Sequence, residues 1–402
     1  MKLIYLHQYF NFPDEKGGTR SYDLAKSFVQ AGHKVIIVSA TSDKKIANGN
    51  RWSVVVRDTL EVHYIYIPYG NHLSYRERIF AFFKFVFFST FYILKIKCDL
   101  VLATSTPLTI GIPALLKKWI KKTPYIFEVR DVWPEAVIAV GAINNNLIKQ
   151  SLFFLERLIY KNSISIVPLS IDMKKSIIKR VPEVASKIHH VIPNISEINR
   201  FRKNIQPLDL KEVLGFKPRF SVFYAGTFGL VNGLHKMVEL AEITKKIDNT
   251  LCYILIGNGS LKEDIIQQAK TSGVLNKNFF VFNSIKKNDL PAWYAATSIG
   301  SSFVIDIKEL WANSANKFFD TLAANRPILI NHEGWQADVI RRKNIGYVLP
   351  AKISKEAAIE FVNYTKNINL QKTQSTNAGN LAEKYYSLDV AVEKYLDIFS
   401  KI

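Results

Sequence analysis

Cysteine is almost absent: 402 residues contain two, Cys98 and Cys252. So few thiols exclude a disulfide-stapled scaffold and fit a reducing compartment. No D-x-D triplet occurs, and the eight histidines are scattered apart from the His189-His190 pair. Without ligands at metal spacing, neither a catalytic metal nor any other bound cofactor is expected. Also missing are the G-x-S-x-G elbow, the G-x-x-x-x-G-K-[ST] loop and a G-x-G-x-x-G turn in the first βα position. Their absence argues against the commonest hydrolases, P-loop ATPases and dinucleotide oxidoreductases.

Long apolar runs are scarce too. The run Met1–Leu6 turns polar at His7-Gln8 and is too short for a signal peptide. The longest, Ile79–Leu94, carries Lys84. As a helix it spans about 24 Å, short of the ~30 Å hydrocarbon core. At ~100° per residue Glu77, Lys84 and Lys95 share one stripe, with phenylalanines around the rest. Two readings stand. The helix lies in a bilayer interface, with Arg76, Arg78, Lys95 and Lys97 meeting anionic head groups. Alternatively it is a core helix between layers.

Positive charge is in excess: 54 Lys and Arg against 34 Asp and Glu leave +20. That implies an anionic partner: nucleic acid, an acidic membrane or a phosphorylated substrate. Residues 1–200 hold 28 basic and 15 acidic residues, and the span 75–122 alone holds nine and two. The charge is local, and its phenylalanine-rich setting favours a membrane surface over a nucleic-acid stacking platform.

Apolar content of 48 % over this length predicts two domains with sizeable cores. Short β-branched runs alternate with amphipathic stretches, the pattern of a parallel sheet covered on both faces. Strands are expected at Leu3–Leu6, Val35–Ser39, Val62–Ile67, Leu100–Ala103, Tyr125–Val129, Ile164–Pro168 and His189–Ile192. The pattern lapses between Asn194 and Lys217, where Pro193, Pro207 and Pro218 punctuate a polar connection. A second series follows at Phe220–Ala225, Tyr253–Ile256, Phe279–Phe282, Ile299–Phe303, Ile328–Ile330 and Tyr347–Leu349. The expected fold class is α/β, two doubly wound Rossmann-like domains facing a cleft. Their expected bounds are 1–200 and 201–385, with a helix over 386–402 packing back on the first.

Ligands of such sheets bind beyond the carboxyl ends of the strands. After the first strand come His7 and then Gly17-Gly18-Thr19-Arg20 leading into a helix, a place for backbone to approach an anion. After Tyr125–Val129 come Glu128, Arg130, Asp131, Trp133 and Glu135. An Asp beside an Arg stays ionised and can accept a proton, while the same residues also suit a salt-bridged helix cap. Gly226-Thr227 and Gly257-Asn258-Gly259 are glycine turns of the kind that hold diphosphates on backbone N–H groups. In Glu309–Asp320, a polar loop enters a helix with Asn316 and Lys317 at its start and Asp320 one turn later. Lys317 and the first amides can hold a diphosphate and Asp320 a ribose diol; the plainer reading is a capped helix with an i,i+3 ion pair.

These segments carry a resemblance. HQYFNFPDEKGGTRSYDLAKSFVQAGHKV at 7–35, VRDVWPE at 129–135, YAGTFGLVNGL at 224–234 and SANKFFDTLAANRPILI at 314–330 resemble, in this order, family-4 glycosyltransferases of the GT-B type. Within that family the chain is most similar to the bacterial O-antigen and capsule group, including N-acetyl-fucosamine transferases. The resemblance implies transfer with retention and without a metal, the nucleotide donor held by the second domain and the acceptor by the first. It implies that Gly17 and Gly18 approach the donor phosphates, and that Lys317 and Asp320 stand at the family's phosphate lysine and ribose acid. The chain departs from it in three places. Arg130 replaces a histidine, the G-R-x-x-x-x-K-G clamp reads Gly226-Thr227 to Asn232-Gly233 without its cations, and Ala312 replaces an acid that Glu309 or Asp306 would have to supply.

The expected activity is transfer of a sugar, an N-acetylated hexosamine or deoxyhexosamine, from a UDP-sugar to a lipid-diphosphate-linked saccharide in cell-surface polysaccharide synthesis. The expected place is the cytoplasmic face of the plasma membrane, held through residues 75–122, with no nucleic-acid partner. Asp131, with Glu128 as second choice, is expected to position or deprotonate the acceptor, and Lys317 to help the leaving group. Gly17, Gly18, Arg20, Gly226, Thr227, Gly257, Asn258, Glu309, Asn316 and Asp320 are expected on the donor; His7, Arg130 and Trp133 on the acceptor. A UDP-sugar 2-epimerase or hydrolase of the same fold, and a non-enzymatic nucleic-acid binder, remain as alternatives.

Overall fold

Period-2 alternation in the first strand divides the core around it. Leu3 and Tyr5 pack to one side, Ile4 and Leu6 to the other, all of them buried. The computed structural model describes residues 1–68 and 75–402, and of Tyr75, Arg76, Arg78 and Ile79 only the backbone.

The first sheet contains β1 (Lys2–Leu6), β2 (Lys34–Thr41), β3 (Trp52–Arg57), β4 (Leu60–Tyr66), β5 (Leu100–Thr104), β6 (Tyr125–Val129) and β7 (Ser165–Pro168). Their order is β3-β4-β2-β1-β5-β6-β7, parallel except for the β3–β4 pair. The second contains β8 (Phe220–Ala225), β9 (Leu251–Ile256), β10 (Phe279–Phe282), β11 (Ile299–Ser302), β12 (Ile328–Ile330) and β13 (Gly346–Val348). It is wholly parallel, in the order β10-β9-β8-β11-β12-β13. This is the two-sheet α/β architecture expected.

One expectation fails and one strand was not foreseen. The unforeseen strand is the edge strand β3, a β-branched run whose outer residues Val54 and Val56 are exposed. His189–Ile192 is not a strand. The Ile192 carbonyl accepts from the Arg20 guanidinium instead of from a neighbouring strand, and the segment runs on as the crossover between sheets.

On one face of the first sheet lie α1 (Arg20–Gln30) and the late helix Leu388–Ser400, where Phe28 meets Tyr395 and Phe399 edge-on at 5.5 and 5.1 Å. Such pairs add ~0.5–1.5 kcal/mol each beyond their area. On the other face lie α2 (Tyr75–Lys95), α3 (Gly111–Lys121) and, after the short α4 (Glu135–Ala139), α5 (Asn146–Asn162). The α2 helix is neither wholly core nor wholly surface. Ala81, Phe85, Ser89 and Ile93 are buried, whereas Phe80, Phe83, Phe87 and Phe91 are each more than half exposed beside Lys84. One cation of the basic span is spent internally: buried Lys117 donates to the Ile93 and Ile96 carbonyls at 2.7 Å, closing the C-terminal end of α2. The side chains of Arg76 and Arg78 lie outside the described residues. No described helix is long and apolar enough to cross a membrane.

Candidate active site

Each sheet has a point where its connections turn away in opposite directions, between β1 and β5 in the first and between β8 and β11 in the second. Loops leaving the carboxyl ends of these strands open a cleft there. The cleft encloses about 540 Å³ and takes His7, Arg130, Asp131 and Trp133 from the first sheet's loops, Glu309, Asn316 and Lys317 from the second's. A second cavity of about 460 Å³ adjoins it, lined by Lys16, Gly17, Gly18, Gly226, Thr227, Gly257, Asn258, Lys287 and Asp320. Gly18, Ala315, Asn316 and Lys317 line both.

Lys317 therefore stands at the junction, in the first turn of α6 (Asn316–Ala323). Its Nζ donates to Asn232 Oδ1 at 3.0 Å and lies 5.0 Å from the Tyr224 ring centroid. Burial pushes the ammonium down to about 8, with the Asp320 charge opposing the shift. The N-cap, Ala315, has no side-chain acceptor for the first-turn amides, so this helix end is open to an anion. Across the junction, the absence of a side chain at Gly18 is what admits Asn316: a Cβ there would stand 2.7 Å from Asn316 Nδ2.

On the opposite wall, Arg130 Nη1 lies 3.2 Å from His7 Nε2. A guanidinium can only donate, so Nε2 accepts and the imidazole proton sits on Nδ1. Burial, then the neighbouring Arg130 charge, depress His7 to about 3. Asp131 accepts a hydrogen bond from Thr106 on the β5 loop, which orients its carboxylate at the cleft. A neutral imidazole, a fixed guanidinium and an oriented carboxylate thus face a buried lysine and an uncapped helix end. The first set suits hydroxyl groups, the second a diphosphate.

Residues 17–200 match the model of Glycosyltransferase Family 4. The protein is a glycosyltransferase. Its fold agrees with solved structures over the whole chain. Anabaena HepE in complex with UDP and glucose is 14 % identical with a TM-score of 0.73, 100 % of each chain being covered. Sucrose-phosphate synthase from Thermosynechococcus elongatus is 13 % identical with a TM-score of 0.76, covering 100 % of this chain and 98 % of that one. WaaG, a glycosyltransferase involved in lipopolysaccharide biosynthesis, is 17 % identical with a TM-score of 0.69, covering 99 % of each. At these identities the likeness is one of fold, the two-domain GT-B arrangement. No curated protein matches the sequence.

Not every residue expected in the glycosyltransferase's site reaches it. Arg20 and Glu128 are corrections. The Arg20 guanidinium is sealed under the cleft, 3.0 Å from Glu128 Oε2, and donates to the Ile192 and Pro193 carbonyls. Glu128 also accepts from Thr104 and from Tyr395 of the late helix. Burial alone would raise Glu128, but the Arg20 and Arg130 charges and these hydrogen bonds hold it at about 2. With its oxygens engaged and no exposed surface, Glu128 is a structural anion rather than a base for the acceptor. Four of the five Arg20 N–H donors are engaged and the side chain is closed to water, so it does not reach a phosphate in either cavity.

The glycine turns are also corrected in part. Gly226 N–H donates to the Ile256 carbonyl and Gly257 N–H to that of Phe282, so neither amide is available to a diphosphate. Gly257 is instead required by close approach, since a Cβ there would meet the Gly226 carbonyl oxygen at 1.8 Å. Asp320 does not pair with Lys317; its Oδ2 takes Lys287 Nζ at 2.5 Å. Of the two substitutes for the acid at Ala312, Glu309 lines the cleft, while Asp306 is exposed and does not. Glu135 turns away to Arg180, 2.6 Å distant, and α4 has no side-chain cap.

Four contributors were missed: Lys16, Lys287, Asn232 and Thr106. Lys16 supplies a cation that the phosphate turn lacks and Lys287 pairs with Asp320, and both come from runs that look like ordinary solvated charge. Among the described residues no group of three or more His, Cys, Asp or Glu is placed to hold a metal ion.

Proposed function

We propose that this glycosyltransferase moves a sugar, an N-acetylated hexosamine or deoxyhexosamine, from UDP to a lipid-diphosphate-linked saccharide, with retention and without a metal. The observation that carries the reading is Lys317 at the junction of two cavities, one walled by anion-binding groups and the other by hydroxyl-binding ones. The diphosphate would lie against Lys317, the first amides of α6 and Lys16. Charge growing on the leaving phosphate is what these preorganised groups stabilise, and each such donor is worth ~10²–10³ in rate. Asp131 would orient the acceptor hydroxyl and take its proton, with Arg130 and His7 holding neighbouring oxygens. The HepE complexes with UDP and with UDP-glucose support the choice of base. The part that WaaG takes in lipopolysaccharide biosynthesis supports a cell-surface saccharide as acceptor.

The outer face of the first sheet supports a membrane-bound acceptor. Besides the phenylalanines of α2, it exposes Trp119 and Ile120 on α3 and Leu147, Ile148 and Phe154 on α5, flanked by Lys84, Lys95, Lys97, Lys121 and Lys122. Apolar residues set among cations fit an anionic bilayer surface, here the cytoplasmic face of the plasma membrane.

The decisive assay incubates the full chain with labelled UDP-sugars, with and without a lipid-linked saccharide fraction. Label entering lipid only when both are present supports transfer, and NMR of the product reads its anomeric configuration. Conversion of the donor without acceptor would mean the epimerase or hydrolase reading is right instead.

A further inference from the structure

The floor of the second cavity holds an ion pair that the transfer chemistry does not explain. Lys287 Nζ lies 2.5 Å from Asp320 Oδ2, and the side chains are only 6 % and 8 % exposed. Lys287 belongs to the loop after β10, and Asp320 to the second turn of α6. The ammonium also lies 5.3 Å from the Phe201 ring centroid, so packing fixes it from a third side. Its main chain reaches the other domain. Lys287 N–H donates to the Glu15 carbonyl at 3.2 Å and Asn288 N–H to that of Pro13 at 3.3 Å. Those acceptors lie just before Gly17-Gly18.

A carboxylate buried without a partner takes up a proton and becomes a donor on one oxygen. An ammonium on one oxygen prevents that and leaves the other as an acceptor of fixed direction. Vicinal hydroxyls need such an acceptor, whereas a diphosphate would be repelled by it. The cavity thus has a cationic end at Lys317 and an accepting end at Asp320, with Lys287 paired to the latter.

We propose that Lys287 is the positioning residue that sets recognition of the donor's ribose, holding the Asp320 carboxylate aimed so that a ribonucleotide is preferred over its 2′-deoxy counterpart. The proposal rests on the reading of this cavity as the nucleotide site. In the sequence the lysine stands in the pair Lys286-Lys287.

The test is calorimetric titration of the full chain with UDP and 2′-deoxy-UDP. Wild type is expected to prefer UDP on the order of tenfold, the scale of one hydrogen bond to a charged group. Lys287→Met should bring the ratio close to one, mainly by weakening UDP. Asp320→Asn should do the same to the ratio, and the double variant should lose no more than either single. Lys287→Gln serves if the methionine variant does not fold. A Lys287 variant that keeps the tenfold preference, or loses both nucleotides equally, overturns the proposal. A wild type that binds GDP or ADP but not UDP would overturn the uridine reading alone, and the ribo-to-deoxyribo comparison is then made with that base.

Discussion

Arg20 Nη2 and Glu128 Oε2 lie 3.0 Å apart with both side chains closed to water. The pair ties the start of α1 to the end of β6, and through Tyr395 it also holds the helix Leu388–Ser400. Removing one partner leaves a buried charge unpaired, which costs ~3–5 kcal/mol. Glu128→Gln should therefore lower the urea midpoint by that equivalent, while the folded fraction keeps its donor KM. Because Glu128 is held at about 2 against an ordinary value of 4.5, its contribution is complete above 4.5 and fades as pH falls towards 2. The acid limb of the stability curve should be shallower in the variant.

Lys317→Ala should cut kcat/KM by roughly 10²–10³, read as UDP release from the sugar donor. Burial pushes the lysine down to about 8, so it is cationic below that value. UDP affinity in the wild type should accordingly weaken as pH rises through 8, and calorimetry at pH 6.5 and 9 checks the direction.

Asp131→Asn keeps the hydrogen-bond acceptor for Thr106 but removes the charge that would take the acceptor's proton. Its kcat should fall about 10²-fold or more with UDP affinity unchanged. Equal loss of UDP binding would instead make Asp131 part of the donor site.

Gly18→Ala places a methyl group 2.7 Å from Asn316 Nδ2, across the junction of the two cavities. Turnover should drop about tenfold, a few tenths of an ångström of misplacement being costly in a reacting geometry. Adding Asn316→Ala should recover part of the loss.

Phe87→Ser with Phe91→Ser changes two exposed residues on α2. Flotation with vesicles containing anionic lipid should fall several-fold, while stability shifts by no more than about 0.5 kcal/mol, as for surface positions generally. Retained flotation would point to α3 and α5 as the docking face.

Most of the framework was readable because buried parallel strands are short continuous apolar runs. Phe220–Ala225, Phe279–Phe282 and Ile328–Ile330 agree residue for residue. The edge strand β3 did carry a signal, the β-branched run Val54-Val55-Val56. Glu128 did carry a signal: it shares strand parity with buried Ile126, so a carboxylate at that phase has to point inwards and find a cation. The cation is 108 residues away in sequence, which no local pattern expresses. Lys287 was unreadable for the same reason, its carboxylate being 33 positions distant and on another element. Asp131, Asn316 and Lys317, each presented by a single segment, line the cleft. Pairings made across the fold leave no such local mark.

The late helix has a bearing on how the chain is made. The last strand of the first sheet ends at Pro168, yet Tyr395 and Phe399 are needed to cover Phe28 and to satisfy Glu128. A ribosome must add roughly 230 more residues before that face closes, on the order of ten to fifty seconds of synthesis. Throughout that interval the nascent first domain presents an uncovered apolar surface and an incompletely paired anion. The second domain is then folded in the presence of an unfinished first one, and the element that completes the earliest core is made only after every strand of the second sheet.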